Sequence, residues 1–137
     1  MFTFKVSFGL IFEANPPQIE TSTPNDYEIE VDVNSNIILN FDEAIYKSHN
    51  FNYITLTNQA GSVISITKSI DLNRIVITPL QPLRYGELYK LQIQSSAVAD
   101  MFGNRSFEKE LRFTTEQLIY LNRTNVTVDI NTPSETI

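Results

Sequence analysis

Short runs of alternating apolar and polar residues fill most of the chain. In the first, Phe2, Phe4, Val6, Phe8, Leu10 and Phe12 share one parity. Thr3, Lys5, Ser7 and Gly9 take the other, with Ile11 as the exception. Period-two patterning of this kind predicts a half-buried strand. A secretory leader is the weaker reading, because the apolar part is short and interrupted. The two prolines of "ANPPQ" (Ala14 to Gln18) cannot continue a ladder and mark a boundary. Beyond it, "QIETS" is a short strand ended by "TPND". The pattern then places Tyr27, Ile29, Val31 and Val33 on one face, and next Ile37, Leu39 and Phe41. The pairs Ile54 with Leu56 and Ile64 with Ile66 follow, then "RIVITPL", cut off at Pro79. Tyr89, Leu91 and Ile93 point inward together, as do Leu111 and Phe113.

Nearly every apolar run is β-branched or aromatic, and turn residues recur between them, which is the pattern of an all-β sandwich. No long helix is expected. "SSAVADMF" predicts one short helical turn capped by Ser95 or Ser96. After Thr115 a further alternating run, Val126, Val128 and Ile130, predicts an extra strand, and "TPSETI" reads as a flexible end. The expected organisation is an N-terminal strand over 1–14, a sandwich over 15–116 and an extension over 117–137.

Composition narrows the chemistry. Hydrophobic residues make up 42% of the 137 residues, enough for a single core. No run approaches the ~20 apolar residues that span a bilayer, so membrane insertion is not expected. Net charge is −6 and the basic residues are scattered, which disfavours nucleic acid as a partner. Divalent cations remain open. With no cysteine there is no disulfide, thiolate zinc site or thiol nucleophile. His49 is the sole histidine and lies in a polar run, where simple exposure is the plain expectation. No nucleophile–base pair can be assembled, so the chain is not expected to be an enzyme.

The order of motifs resembles a known family. "STPND", "VDVNSNIILNFDEAI", "ITPLQPLRYGELYKLQI", "SSAVADMFGN" and "LRFTT" follow one another as in the bacterial Ig-like domain of the S-layer SbsA type. The resemblance runs from about Pro17 to Thr115. It implies an Ig-like β-sandwich of about seven strands, an extracellular or cell-surface setting, and a spacer, connector or adhesive role with no shared catalytic residues. The runner-up is an accessory binding module, for carbohydrate or calcium, of a larger secreted protein.

Particular residues sharpen these expectations. In "ADMFGN", Gly103 and Asn104 suit a turn, and Asp100 can close it by accepting backbone N–H groups. The competing reading is a calcium site at Asp100 and Asn104 with help from Asp42, but calcium needs six to eight oxygens. Asp42 and Glu43 are adjacent and point apart if the strand continues, so they are not a catalytic pair. Tyr89, two residues before Leu91, has the place of the tyrosine that bonds upstream backbone at an Ig corner. Sequons at Asn104, Asn122 and Asn125 are close to the number chance gives at this Asn, Ser and Thr content. The Phe-rich first strand needs a partner. It belongs to a preceding module, pairs with its own domain's edge, or is donated to a neighbouring subunit. Phe2, Phe4, Val6 and Phe8 are the expected contacts, and neighbouring modules or subunits the expected partners.

Overall fold

The computed structural model describes residues 14–119. The first-strand positions Phe2, Phe4, Val6 and Phe8, the sequons Asn122 and Asn125, and the run Val126 to Ile130 lie outside them. The described residues form an almost entirely β sandwich of eleven short strands.

One sheet has the order β1–β3–β8–β7: Ile19–Thr23, Ile37–Phe41, Arg74–Pro79 and Ile66–Asp71. The other has β2–β11–β9–β5–β6: Glu28–Val31, Lys109–Thr115, Leu88–Ile93, Thr55–Thr57 and Val63–Ile64. A third, two-stranded piece pairs β4 (Tyr46–Lys47) with β10 (Val98–Ala99). All pairings are antiparallel except β2 with β11, which is parallel. Two extended runs change sheets partway: β1 passes to β2 through a cis Thr23–Pro24 bond, and β6 passes to β7 at Ser65. These splits raise the strand number above the seven expected, while the two-sheet Ig arrangement holds.

The inward set follows the period-two pattern. Ile37, Leu39, Phe41, Ile54, Leu56, Tyr89, Leu91, Ile93, Leu111 and Phe113 are all buried in one core. The Tyr89 and Phe113 rings stack across neighbouring strands at 5.8 Å. Two expectations need correction. Tyr27 and Ile29 are exposed, and only Val31 and Val33 of that set are buried. The cause is a bulge: Phe113 pairs with Glu28 but Thr115 with Val31, and Glu30 takes a left-handed φ of 62°. The second concerns "SSAVADMF". Ser96 has a φ of 65°, and Val98 and Ala99 form β10, so no helical turn starts there.

The chain path has a direction. Pro17, Ile19, Phe41, Ile93, Phe107 and Lys109 border one shallow cleft, which places the incoming chain beside the start of β11. At the far end, the Glu116 N–H donates to Val31 O at 2.9 Å and the Gly86 N–H to Glu116 O at 2.8 Å. The described chain therefore enters at one end of the sandwich and leaves at the other.

Candidate functional site

At the outgoing end the segment from Leu83 to Leu88 is held as a corner. Tyr89 is 1% exposed, and its phenolic oxygen accepts the Arg84 N–H at 2.9 Å. Thr115, the next inward residue after Leu111 and Phe113, supports the same segment. Its hydroxyl donates to Arg84 O and accepts the Glu87 N–H at 3.0 Å. The expected Ig corner tyrosine is thus present, and Leu91 lies buried in the core two residues on. Gly86, with a φ of 63°, supplies the left-handed step between them.

At the incoming end sits the loop that raised the calcium question. Asp100 is 5% exposed. Its Oδ1 accepts the Phe102 and Asn104 N–H groups, both at 2.9 Å, and its Oδ2 accepts Asn104 Nδ2 at 2.9 Å. The Asp100 N–H in turn donates to Asn104 O at 3.0 Å, and Gly103 turns the chain with a φ of 86°. Burial pushes the Asp100 carboxyl up. The hydrogen bonds from Asn104, from the Phe102 N–H and from the Glu43 side chain outweigh it and hold the group below its ordinary value.

The structure separates the two neighbouring carboxylates. Asp42 faces the incoming chain, where its Oδ1 accepts the Gln18 N–H at 2.9 Å, while Glu43 reaches Asp100. Of the calcium candidates, Asp100 and Asn104 meet, and Asp42 is engaged elsewhere. Among the described residues no three His, Cys, Asp or Glu side chains converge as metal ligands. His49 is exposed in the turn after β4. Asn104 is half-buried with its amide nitrogen bonded to Asp100, so a glycan attached there would leave that nitrogen one N–H for the bond.

Lys68 is a site residue that the sequence reading missed. It lies between Ile66 and Ile70 on the inward parity of edge strand β7. Its Nζ donates to the carbonyls of Phe51, Asn52 and Ile54 at 3.1, 3.1 and 3.3 Å. Burial lowers its pKa, and the neighbouring Lys47 lowers it further. Both ammonium groups lie over the Phe51 ring, Lys47 at 5.1 Å and Lys68 at 5.4 Å. An inward lysine on an edge strand deters another strand from pairing there, because pairing would bury the charge. The bulged edge β2 carries Glu28 and Glu30, with the Arg112 guanidinium over the exposed Tyr27 ring at 5.6 Å. The signal for Lys68 was its period-two position between two isoleucines.

Among the described residues no helix is long and apolar enough to cross a membrane. No curated protein matches the sequence. Several solved structures share the fold, among them the following two. One is CopC from Methylosinus trichosporium OB3b, at 15% identity and a TM-score of 0.55, over 77% of this chain and 99% of that one. The other is the N-terminal part of the bacterial S-layer protein SbsC, at 13% identity and a TM-score of 0.56. That likeness covers 77% of this chain and 25% of the S-layer chain. The sequence itself matches a family over residues 13–115, and by that match the chain belongs to the bacterial Ig-like domain family.

Proposed function

We propose that this domain is a non-catalytic structural or adhesive module of a cell-surface or extracellular assembly, of the S-layer, adhesin or filament kind. The chain path carries the reading. Chain enters at one end and leaves at the other, and β2 runs parallel to β11. Tension along such a chain slides β1 against β3 and β2 against β11, so many hydrogen bonds take the load together. The conspicuous polar side chains support the same reading. Asp100, Tyr89, Thr115 and Lys68 are engaged in holding backbone. The likeness to part of an S-layer protein favours a module in a longer array, and the SbsA type belongs to this proposal.

Within it, residues 15–116 are the sandwich and 117–137 a C-terminal extension that supplies one further strand. Residues 1–14 pair with a neighbouring module or subunit through Phe2, Phe4, Val6 and Phe8. Sedimentation of the full chain and of a chain lacking residues 1–13 tests this. The deletion is expected to abolish self-association or to leave a sticky edge that aggregates. A deleted chain that stays soluble and associates as before overturns the assignment.

A further inference from the structure

Among the described residues, β11 is covered along only part of its outer edge. On the side away from β9, β2 pairs with it from Phe113 to Thr115. The Arg112 N–H donates to Asp26 Oδ1 at 2.8 Å and its carbonyl accepts the Tyr27 N–H at 2.6 Å, and there the described cover stops. Backbone groups of alternate residues point to the same side of a strand. Those of Glu110, and of Glu108 just ahead of the strand, therefore point the same way as those of Arg112, and no described strand lies beside them. This open stretch borders the cleft between the two sheets, to which Ile19 and Phe41 come from one sheet and Ile93 from the other. Phe107, 64% exposed, stands on its rim. An open edge beside an apolar cleft is a seat for an added strand with one apolar face.

The chain carries such a segment. Residues 1–13 lie outside the described structure and join it at Ala14, close to Pro17 on the cleft wall. Phe2, Phe4 and Val6 alternate with Thr3, Lys5 and Ser7. We propose that the first segment of one copy adds antiparallel to the open stretch of β11 in a second copy, with Phe2 and Phe4 in the cleft and Lys5 opposite Glu108. This rests on the reading that residues 1–14 pair with a neighbouring subunit, and it names the seat.

Parity and charge set the register. The inward residues of β11, Leu111 and Phe113, are odd-numbered, so the even-numbered phenylalanines must fall opposite odd positions. Lys5 then meets Glu108 or Glu110. Glu110 is already engaged by Lys90, Arg112 and Gln92, whereas Glu108 is exposed and in no described ion pair. With Lys5 opposite Glu108, Phe4 falls opposite Lys109 and Phe2 opposite Leu111, just short of the Tyr27 contact that closes the edge. A segment folded back onto its own domain would instead bring Leu10 and Phe12 to the opening and run Lys5 on towards β2. From a second copy, residues 2–5 reach the opening and residues 6–13 span up to about 26 Å between the domains. Segment and opening lie at the same end of each copy, so two copies exchange segments and close as a pair.

The chain has no cysteine, so Lys5→Cys and Glu108→Cys each place a single thiol. Opposite residues that exchange backbone bonds have Cα atoms about 5.5 Å apart, within disulfide reach. The two single-variant full chains are mixed, oxidised and mapped by mass spectrometry, with Gln81→Cys, at the outgoing end, replacing Glu108→Cys as control. A 5–108 link between chains is expected, at least about tenfold above the 5–81 link. In sedimentation, K5E or E108K alone should weaken self-association about tenfold, and the two together should restore it. Three results overturn the proposal: no 5–108 link above control, a link formed only within one chain that carries both thiols, or charge reversal without rescue. If deleting residues 1–13 abolishes association while the link fails to form, the seat is wrong and the pairing reading stands. If the deletion leaves association unchanged, both fall.

Discussion

Tyr89→Phe removes one oxygen atom and leaves the ring that stacks on Phe113 in place. That oxygen sits in a side chain 1% exposed and accepts the Arg84 N–H at 2.9 Å. Without it the Arg84 donor is left unpaired at a partly buried site. An unsatisfied buried donor costs roughly 1–3 kcal/mol. Arg84 is itself exposed, so water can reach part of the site and the loss should fall near the middle, about 1.5 kcal/mol. For a domain of this size each kcal/mol lowers the melting temperature by about 4–8 °C, giving a fall of roughly 6–12 °C. Thr115 holds the Arg84 carbonyl from the other side, so the two hydroxyls act on one residue. A double-mutant cycle of Tyr89→Phe with Thr115→Val is expected to show coupling of at least about 0.5 kcal/mol. Chemical denaturation supplies the free energies, and hydrogen exchange of the Arg84 amide supplies the local readout. A Tyr89→Phe variant within about 0.5 kcal/mol of wild type, with unchanged Arg84 exchange, would refute the corner as a structural lock.

Asp100→Ala deletes the acceptor of three N–H groups, and water compensates at the exposed Phe102, so the expected loss is about 2–4 kcal/mol by denaturation at neutral pH. Because the folded Asp100 pKa lies below its ordinary value of 3.8, that contribution is present above 3.8 and is lost as pH falls through the folded value. The gap between wild type and Asp100→Ala should close in strong acid, and a gap independent of pH would contradict the assignment. Lys68→Met removes three bonds to carbonyls and the inward charge of an edge strand. It should cost about 1–3 kcal/mol and raise self-association in sedimentation; a monomer of unchanged stability would count against the edge role. Excess calcium or chelator is expected to leave the melting temperature within about 1 °C, since a ligand that binds only the folded state raises it with concentration. A rise that scales with calcium would restore the ion-binding reading of Asp100.

The inward alternation was legible because its cause is local. A residue buried in a sheet repeats every second position, and Leu39, Leu56, Leu91 and Phe113 obey that rule. Tyr89 was legible from its spacing to Leu91, and Asp100 from the turn chemistry of Gly103 and Asn104. The exposed Tyr27 and Ile29 were not. Their outward placement depends on a bulge opposite β11, which is distant in sequence. The change of sheet at Ser65 was hidden too, since an alternating run looks the same whichever sheet receives each half. The strand at Val98 and Ala99 was mistaken for helix because it is two residues long and its partner strand, β4, is equally short. The contact of Glu43 with Asp100 joins two loops, and no periodicity reports such a meeting.

Pulling the domain by its two ends tests the load-bearing reading most directly. Force applied at residues 14 and 119 drags β1 along β3 and β2 along β11, and the bonds between those strands share the load. Force applied at Gln94 and Glu108, at adjacent ends of β9 and β11, opens that antiparallel pair one bond at a time. Single-molecule extension should find a single cooperative rupture in the first geometry, at clearly higher force than in the second. Equal rupture forces in the two geometries would contradict a domain built to carry tension from one end to the other.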